Sequence, residues 1–158
     1  MGFWKSPIRK LRSYVHLAPA ERMLVLRAGI LLATVGLMLR LRGFRRTMTR
    51  FGCRTLKTAE DAHEESSRRE IRQVSRAVAV AARNGLRAPN CLRSSLVLNY
   101  MLRRRGYDSE LRIGVRRQGE LFEAHAWVEL AQRVVNDTQD VAQRFTPVAE
   151  LSGAIPFL

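Results

Sequence analysis

Two cysteines are too few to brace a chain of 158 residues, so no disulfide framework holds this fold. Cys53 and Cys91 read as reduced thiols in a cytosolic protein. Acidic residues are scarce too. Fourteen Asp and Glu stand against 28 Lys and Arg, nearly all arginine, for a net charge of +14. That imbalance draws anionic partners: nucleic acid, acidic peptide or the inner membrane surface. Helix-turn-helix, zinc-finger and aromatic RNA-binding signatures are missing, which argues against nucleic acid. A plain membrane span is missing as well. The apolar run Ala28–Leu39 is twelve residues long, about 18 Å at helical rise, where a bilayer asks for about 20 residues. The run lies too deep in the chain, and lacks the small-residue cleavage site, to be a secretory signal.

What is present suffices for one domain with a helical lead. Hydrophobic residues make up 46% of the chain, enough for a core. Residues 1–50 read as a basic helical region. In it Pro19 opens a helix with Ala20 and Glu21 in the first turn, and the helix stops at Gly43. It is apolar on nearly every side between Arg27 and Arg40, so it must be covered by the protein, by a partner or by a membrane surface. Residues 51–70 read as a polar linker, its last residues already entering the next helix. Residues 71–158 read as the main domain. Ile71, Val74, Val78 and Ala81 or Ala82 mark one helix at 3.6-residue spacing. A second begins after Asn90, with Leu92, Leu96, Leu98 (or Asn99) and Leu102 as its stripe and Gly106 beyond its end. From there "SELRIGVRR", "LFEAHAWVEL" and "RVVND" alternate as strands of an antiparallel meander. The expected class is α+β, helices against an antiparallel sheet of about three strands.

The second of these helices starts with a thiol. A helix N-terminus and a neighbouring imidazolium are the settings in which cysteine ionises most easily. "AHAWVEL" places His125, Trp127 and Glu129 on one strand face, and Asp137 ends the next strand. A thiol, a base and a carboxylate that orients the base are the parts of nucleophilic acyl transfer. Each also has a plainer reading: Cys91 as core packing, His125 as a satisfied core residue, Asp137 as a turn former. Cys53 lies in the polar stretch with no cap or long helix behind it and is expected to be incidental.

In combination, "NCLRSSLVLNYMLRRRGYDSELRIGVRR", "FEAHAWVEL" and "VVND" resemble the leader peptidase of lasso-peptide maturation, the separate B2 protein of many bacteria. That family lies within the transglutaminase-like superfamily of papain-type cysteine peptidases. The resemblance is close over 90–158 and looser over the N-terminal helix. One position departs: the arginine often found just before "SL" is Ser94 here, with Arg93 preceding it. The resemblance implies a papain-like core with nucleophile Cys91, base His125 and orienting Asp137, and no cofactor or metal. It implies cleavage of a ribosomally made precursor peptide between leader and core, before an ATP-dependent lasso cyclase closes the macrolactam. A leader-recognition B1 protein would present the substrate, since residues 1–89 read as helical and hold no recognition domain of their own.

Two other functions stay open on the residues: acyl transfer from the same acyl-enzyme to an amine instead of water, and a non-catalytic basic binding module. For the helix over 20–42, packing plus docking of the recognition protein or cyclase is preferred to peripheral contact with the membrane. Register makes a further expectation. A two-residue Ala131–Gln132 hairpin would put Asp137 opposite Ala126, on the wrong face for His125. "AQ" lacks the Gly or Asn such a turn prefers, so an odd loop or a bulge is expected. His125 and Asp137 should then lie about 2.6–3.2 Å apart, with the Cys91 sulfur across the ring at the mouth of a cleft between helix and sheet, and Glu129 as the reserve carboxylate.

Overall fold

A computed structural model describes residues 18–51, 65–85, 90–118 and 121–148. Cys53 and most of the expected linker lie outside the described residues. Three helices come first: α1 (Pro19–Phe51), α2 (Glu65–Asn84) and α3 (Cys91–Arg103). Strands β1 (Ser109–Gln118), β2 (Leu121–Leu130) and β3 (Arg133–Val134) follow, then a single helical turn α4 (Val141–Arg144) and a short β4 (Thr146–Pro147). The sheet is antiparallel with order β3-β2-β1-β4. It has one strand more than expected, because the chain returns after α4 to pair Thr146 and Pro147 with Val115 and Gly114.

Helix α1 does not stop at Gly43. It kinks there, at φ 75° and ψ 175°, and helical structure resumes to Phe51. Glycine reaches that conformation without the Cβ clash other residues meet. One face of α1 is an integral wall of the core. Val25, Ala28, Leu32 and Val35 are buried together with Val74 and Val78 of α2, Leu96, Leu98 and Leu102 of α3, and Val128 and Leu130 of β2. These are the helical stripes expected from spacing, closed over one face of the sheet. The opposite sheet face carries a smaller cluster of Trp127, Val141 and Phe145. Strand alternation divides β2 between the two: Ala126, Val128 and Leu130 face the helices, His125 and Trp127 the smaller cluster.

Candidate active site

The helix start at Cys91 is fixed by its neighbour. Asn90 has extended backbone angles, and its Oδ1 accepts the Arg93 N–H at 3.1 Å, one of the amides that a helix start leaves without a partner. Cys91 is a free, half-buried thiol in the first turn that follows. Ser95 lies one turn further on the same helix face. It is buried, and its hydroxyl donates to the Ala126 carbonyl at 2.8 Å. The Cys91 face of α3 is therefore pinned to β2 at the peptide next to His125.

His125 and Asp137 are in contact, Nε2 to Oδ2 at 2.6 Å. They meet by a different route from the one expected. The loop is the two-residue hairpin after all: Leu130 pairs with Arg133 and Glu129 with Val134. Ala131 and Gln132 both take positive φ, 47° and 61°, the signature of the type I′ turn that Asn-Gly usually supplies. Strand pairing of Leu130 with Arg133 forces the turn against the preference of its own residues. Regular pairing does continue one step, with the Val135 N–H on the Val128 carbonyl at 2.9 Å. There it breaks. The Val128 N–H goes to Asn136 Oδ1 at 2.8 Å rather than to a backbone carbonyl, and the Val135 carbonyl accepts Ser75 Oγ of α2 at 3.4 Å. One side-chain amide thus takes the next rung of the ladder, and the bend it creates brings Asp137 round to the His125 face. Asn136 Nδ2 also donates to Ser95 Oγ at 2.9 Å. Helix α3, strand β2 and the Asp137 bend share this one clasp.

Electrostatics fix the proton on the imidazole. Burial, the largest influence on the Asp137 carboxyl, pushes its pKa up. Hydrogen bonds from His125 and from the Thr138 N–H (2.7 Å) oppose it and hold the group below the usual aspartate range. An ionised carboxylate only accepts, so Nε2 of His125 carries a hydrogen toward Asp137, and in the neutral ring Nδ1 keeps the lone pair. Arg144 adds a cation, 3.4 Å from Asp137 Oδ1 and 2.8 Å from Thr138 Oγ1. The ring lies against Phe145 at 5.0 Å and Trp127 at 6.4 Å between centroids. Opposite His125 on β1 is Gly114, where a Cβ would come within 2.9 Å of both Phe145 Cβ and Trp127 Cη2. Glycine is required there for space.

Glu129, the reserve carboxylate, is engaged elsewhere: it accepts Trp127 Nε1 at 2.7 Å and Arg112 Nε at 3.0 Å. Among the described residues no hydrogen bond joins the Cys91 sulfur to the imidazole. The concavity that includes Asn90, about 410 Å³, lies between α1, α2 and the first turn of α3. It is not the helix–sheet cleft that was expected. Ser95, Asn136, Gly114 and Phe145 were not anticipated. Only the Asn beside Asp137 carried a visible signal, since Asn side chains commonly bond to nearby backbone.

A thiol at a capped helix start, a carboxylate-bound histidine on the second strand of an antiparallel sheet and a helical lead packed into the same core suggest a comparison with known families. The transglutaminase-like superfamily matches residues 31–150. The chain belongs to that superfamily. The match takes in the second half of α1 along with α2, α3 and the sheet, so the superfamily domain includes helical structure well before Cys91. This transglutaminase-like chain is also similar to the microcin J25-processing protein McjB of Escherichia coli, at 37% identity over 62 residues. The stretch covers 39% of this chain and 29% of that protein, so the chain spans well under half of its curated relative. No solved structure matches the chain.

Proposed function

We propose that this transglutaminase-like protein is a cysteine peptidase that removes the leader from a ribosomally made lasso-peptide precursor, with Cys91, His125 and Asp137 as its triad. The observation that carries the reading is the 2.6 Å His125–Asp137 contact on the strand to which the capped Cys91 helix is pinned. Similarity to a microcin-processing protein supports a maturation role.

In the proposed reaction, His125 Nδ1 takes the Cys91 thiol proton while Nε2–H stays on Asp137. The thiolate adds to the scissile carbonyl carbon, and the tetrahedral intermediate collapses as the C–N bond breaks. His125 returns the proton to the leaving amine, which departs as the N-terminus of the core peptide. Water, deprotonated by the same nitrogen, then hydrolyses the thioester and frees the leader as a carboxylate. Catalytic hydrogen bonds commonly tighten only around bound substrate, so the Cys91–His125 bond forms in the complex. The freed amine is what an ATP-dependent macrolactam synthetase consumes. A leader-recognition protein presents the substrate, and the reaction takes place in the cytoplasm.

Incubation with a synthetic precursor, with and without the recognition protein, followed by mass spectrometry, tests the proposal. Wild-type protein and Cys53→Ser release the leader, Cys91→Ala stays folded and does not, and iodoacetamide labels Cys91 as activity disappears. Release by Cys91→Ala, or inactivation that tracks labelling of Cys53, would refute it. Transfer of the leader acyl group to an added amine, with no free leader acid, would identify an acyltransferase instead.

A further inference from the structure

Helix α1 has two apolar faces, and the core covers one of them. Val25, Ala28, Leu32 and Val35 point inward. Met23, Leu26, Ile30, Leu37 and Leu41 are 51–72% exposed. At 100° per residue these five fall in a sector about 60° wide, on the side away from the core. Within Pro19–Thr47 the helix is long and apolar enough by composition to cross a membrane, yet only 17% of its most apolar window is buried in the protein. The short run Ala28–Leu39 had suggested otherwise.

Crossing is excluded by the other face. It is fused to α2, whose Arg68, Arg69, Arg72 and Arg76 are exposed and would be drawn into hydrocarbon. Contact along the length of the helix remains open. Arg27 flanks the outward sector on one side and Arg40 on the other, and the chain carries +14. The polar residue on the crest, Thr34, turns its hydroxyl back to the Ile30 carbonyl at 2.9 Å, so it brings no unmet hydrogen bond into an apolar medium. Two copies of this face would bring like charges together. Anionic phosphates at the level of the arginines, with acyl chains under the crest, complement it in both charge and polarity.

We propose that α1 lies in the plane of an anionic membrane surface, its Met23–Leu41 crest in the acyl boundary and its arginines among the headgroup phosphates, so that the protein works as a peripheral membrane protein. This does not depend on the peptidase reading.

The test is co-flotation of the full chain with vesicles of phosphatidylcholine alone or with phosphatidylglycerol. A crest variant, Leu26→Gln/Ile30→Gln/Leu41→Gln, keeps the net charge and alters only exposed positions; circular dichroism checks its fold. Wild-type protein should float with the anionic vesicles and not with the neutral ones. The folded crest variant should partition at least about tenfold less, with precursor cleavage in solution unchanged. Equal flotation of wild type and crest variant would overturn the proposal, because charge alone would then explain binding. It would be overturned equally if wild type ignored vesicles and light scattering showed a dimer, or a complex with the recognition protein, that the crest variant lost.

Discussion

Gly114→Ala adds one methyl group at the point where sheet packing meets the candidate site. No positive φ marks Gly114, unlike Gly106 at 93°, so the backbone would accept alanine and only space opposes it. The new Cβ would lie 2.9 Å from Phe145 Cβ, 2.9 Å from Trp127 Cη2 and 3.0 Å from Trp127 Cζ3. Neither neighbour is a loose side-chain end: Trp127 is fully buried and Phe145 is 3% exposed. Overpacking of this kind costs about 1–3 kcal/mol. For a domain of this size each kcal/mol lowers the melting temperature by about 2–4 °C, so the variant should melt about 2–12 °C below wild type. Function should suffer beyond that. Phe145 lies against the His125 ring, 5.0 Å between centroids, and a shift of a few tenths of an ångström there should lower precursor cleavage about tenfold at a temperature where both proteins are folded. Differential scanning fluorimetry and a single-turnover cleavage assay read the two effects. A melting temperature within 1 °C of wild type together with unchanged cleavage would show that the Phe145–Trp127 wall gives way freely, and the packing argument would fail.

Asn136→Ala and Ser95→Ala should each lower stability by about 1–2 kcal/mol in denaturant titrations, and the double variant by clearly less than the sum, because the two side chains share one bond. Asp137→Asn should lower cleavage a hundredfold or more while the protein stays folded. Its pH dependence has a definite sign. The Asp137 carboxyl is depressed in the folded state, so its stabilisation is complete above the unfolded value of about 3.9 and is lost as pH falls through the folded value. The melting-temperature gap between wild type and Asp137→Asn should therefore close as pH falls below about pH 4. Glu129→Gln should keep cleavage within about threefold, since this carboxylate is held by Trp127 and Arg112; a collapse of activity would make Glu129 the orienting acid.

The helices were legible because burial follows spacing. Ile71, Val74, Val78 and Ala81 are all buried, as the 3.6-residue period requires. Strands β1 and β2, the face shared by His125, Trp127 and Glu129, and the Asn90 cap were legible for similar reasons of local chemistry; β4 was not, and β3 pairs only at Arg133 and Val134. A glycine in a helical pattern marks a stop and a break equally well, so spacing alone does not separate the Gly43 kink from a helix end. The hairpin is hidden in the sequence because Ala131 and Gln132 take φ values that their own chemistry disfavours, held there by the pairing of Leu130 with Arg133. Ser95 and Gly114 could not be read from sequence. Their roles depend on Ala126, Phe145 and Trp127, which only the folded sheet brings beside them.

The Asp137 bend separates two design problems that a straight strand would join. In a continuous third strand, one added residue would send every following side chain to the other face of the sheet. Here the ladder closes at Val135 and Asn136 acts as its terminal plug. Beyond that point chain length is no longer counted in units of strand pairing. The acid is aimed instead by local bonds, from the Thr138 N–H at 2.7 Å and from Arg144 at 3.4 Å. The histidine is placed by strand register, and the carboxylate by a cluster of side-chain and backbone bonds outside the ladder.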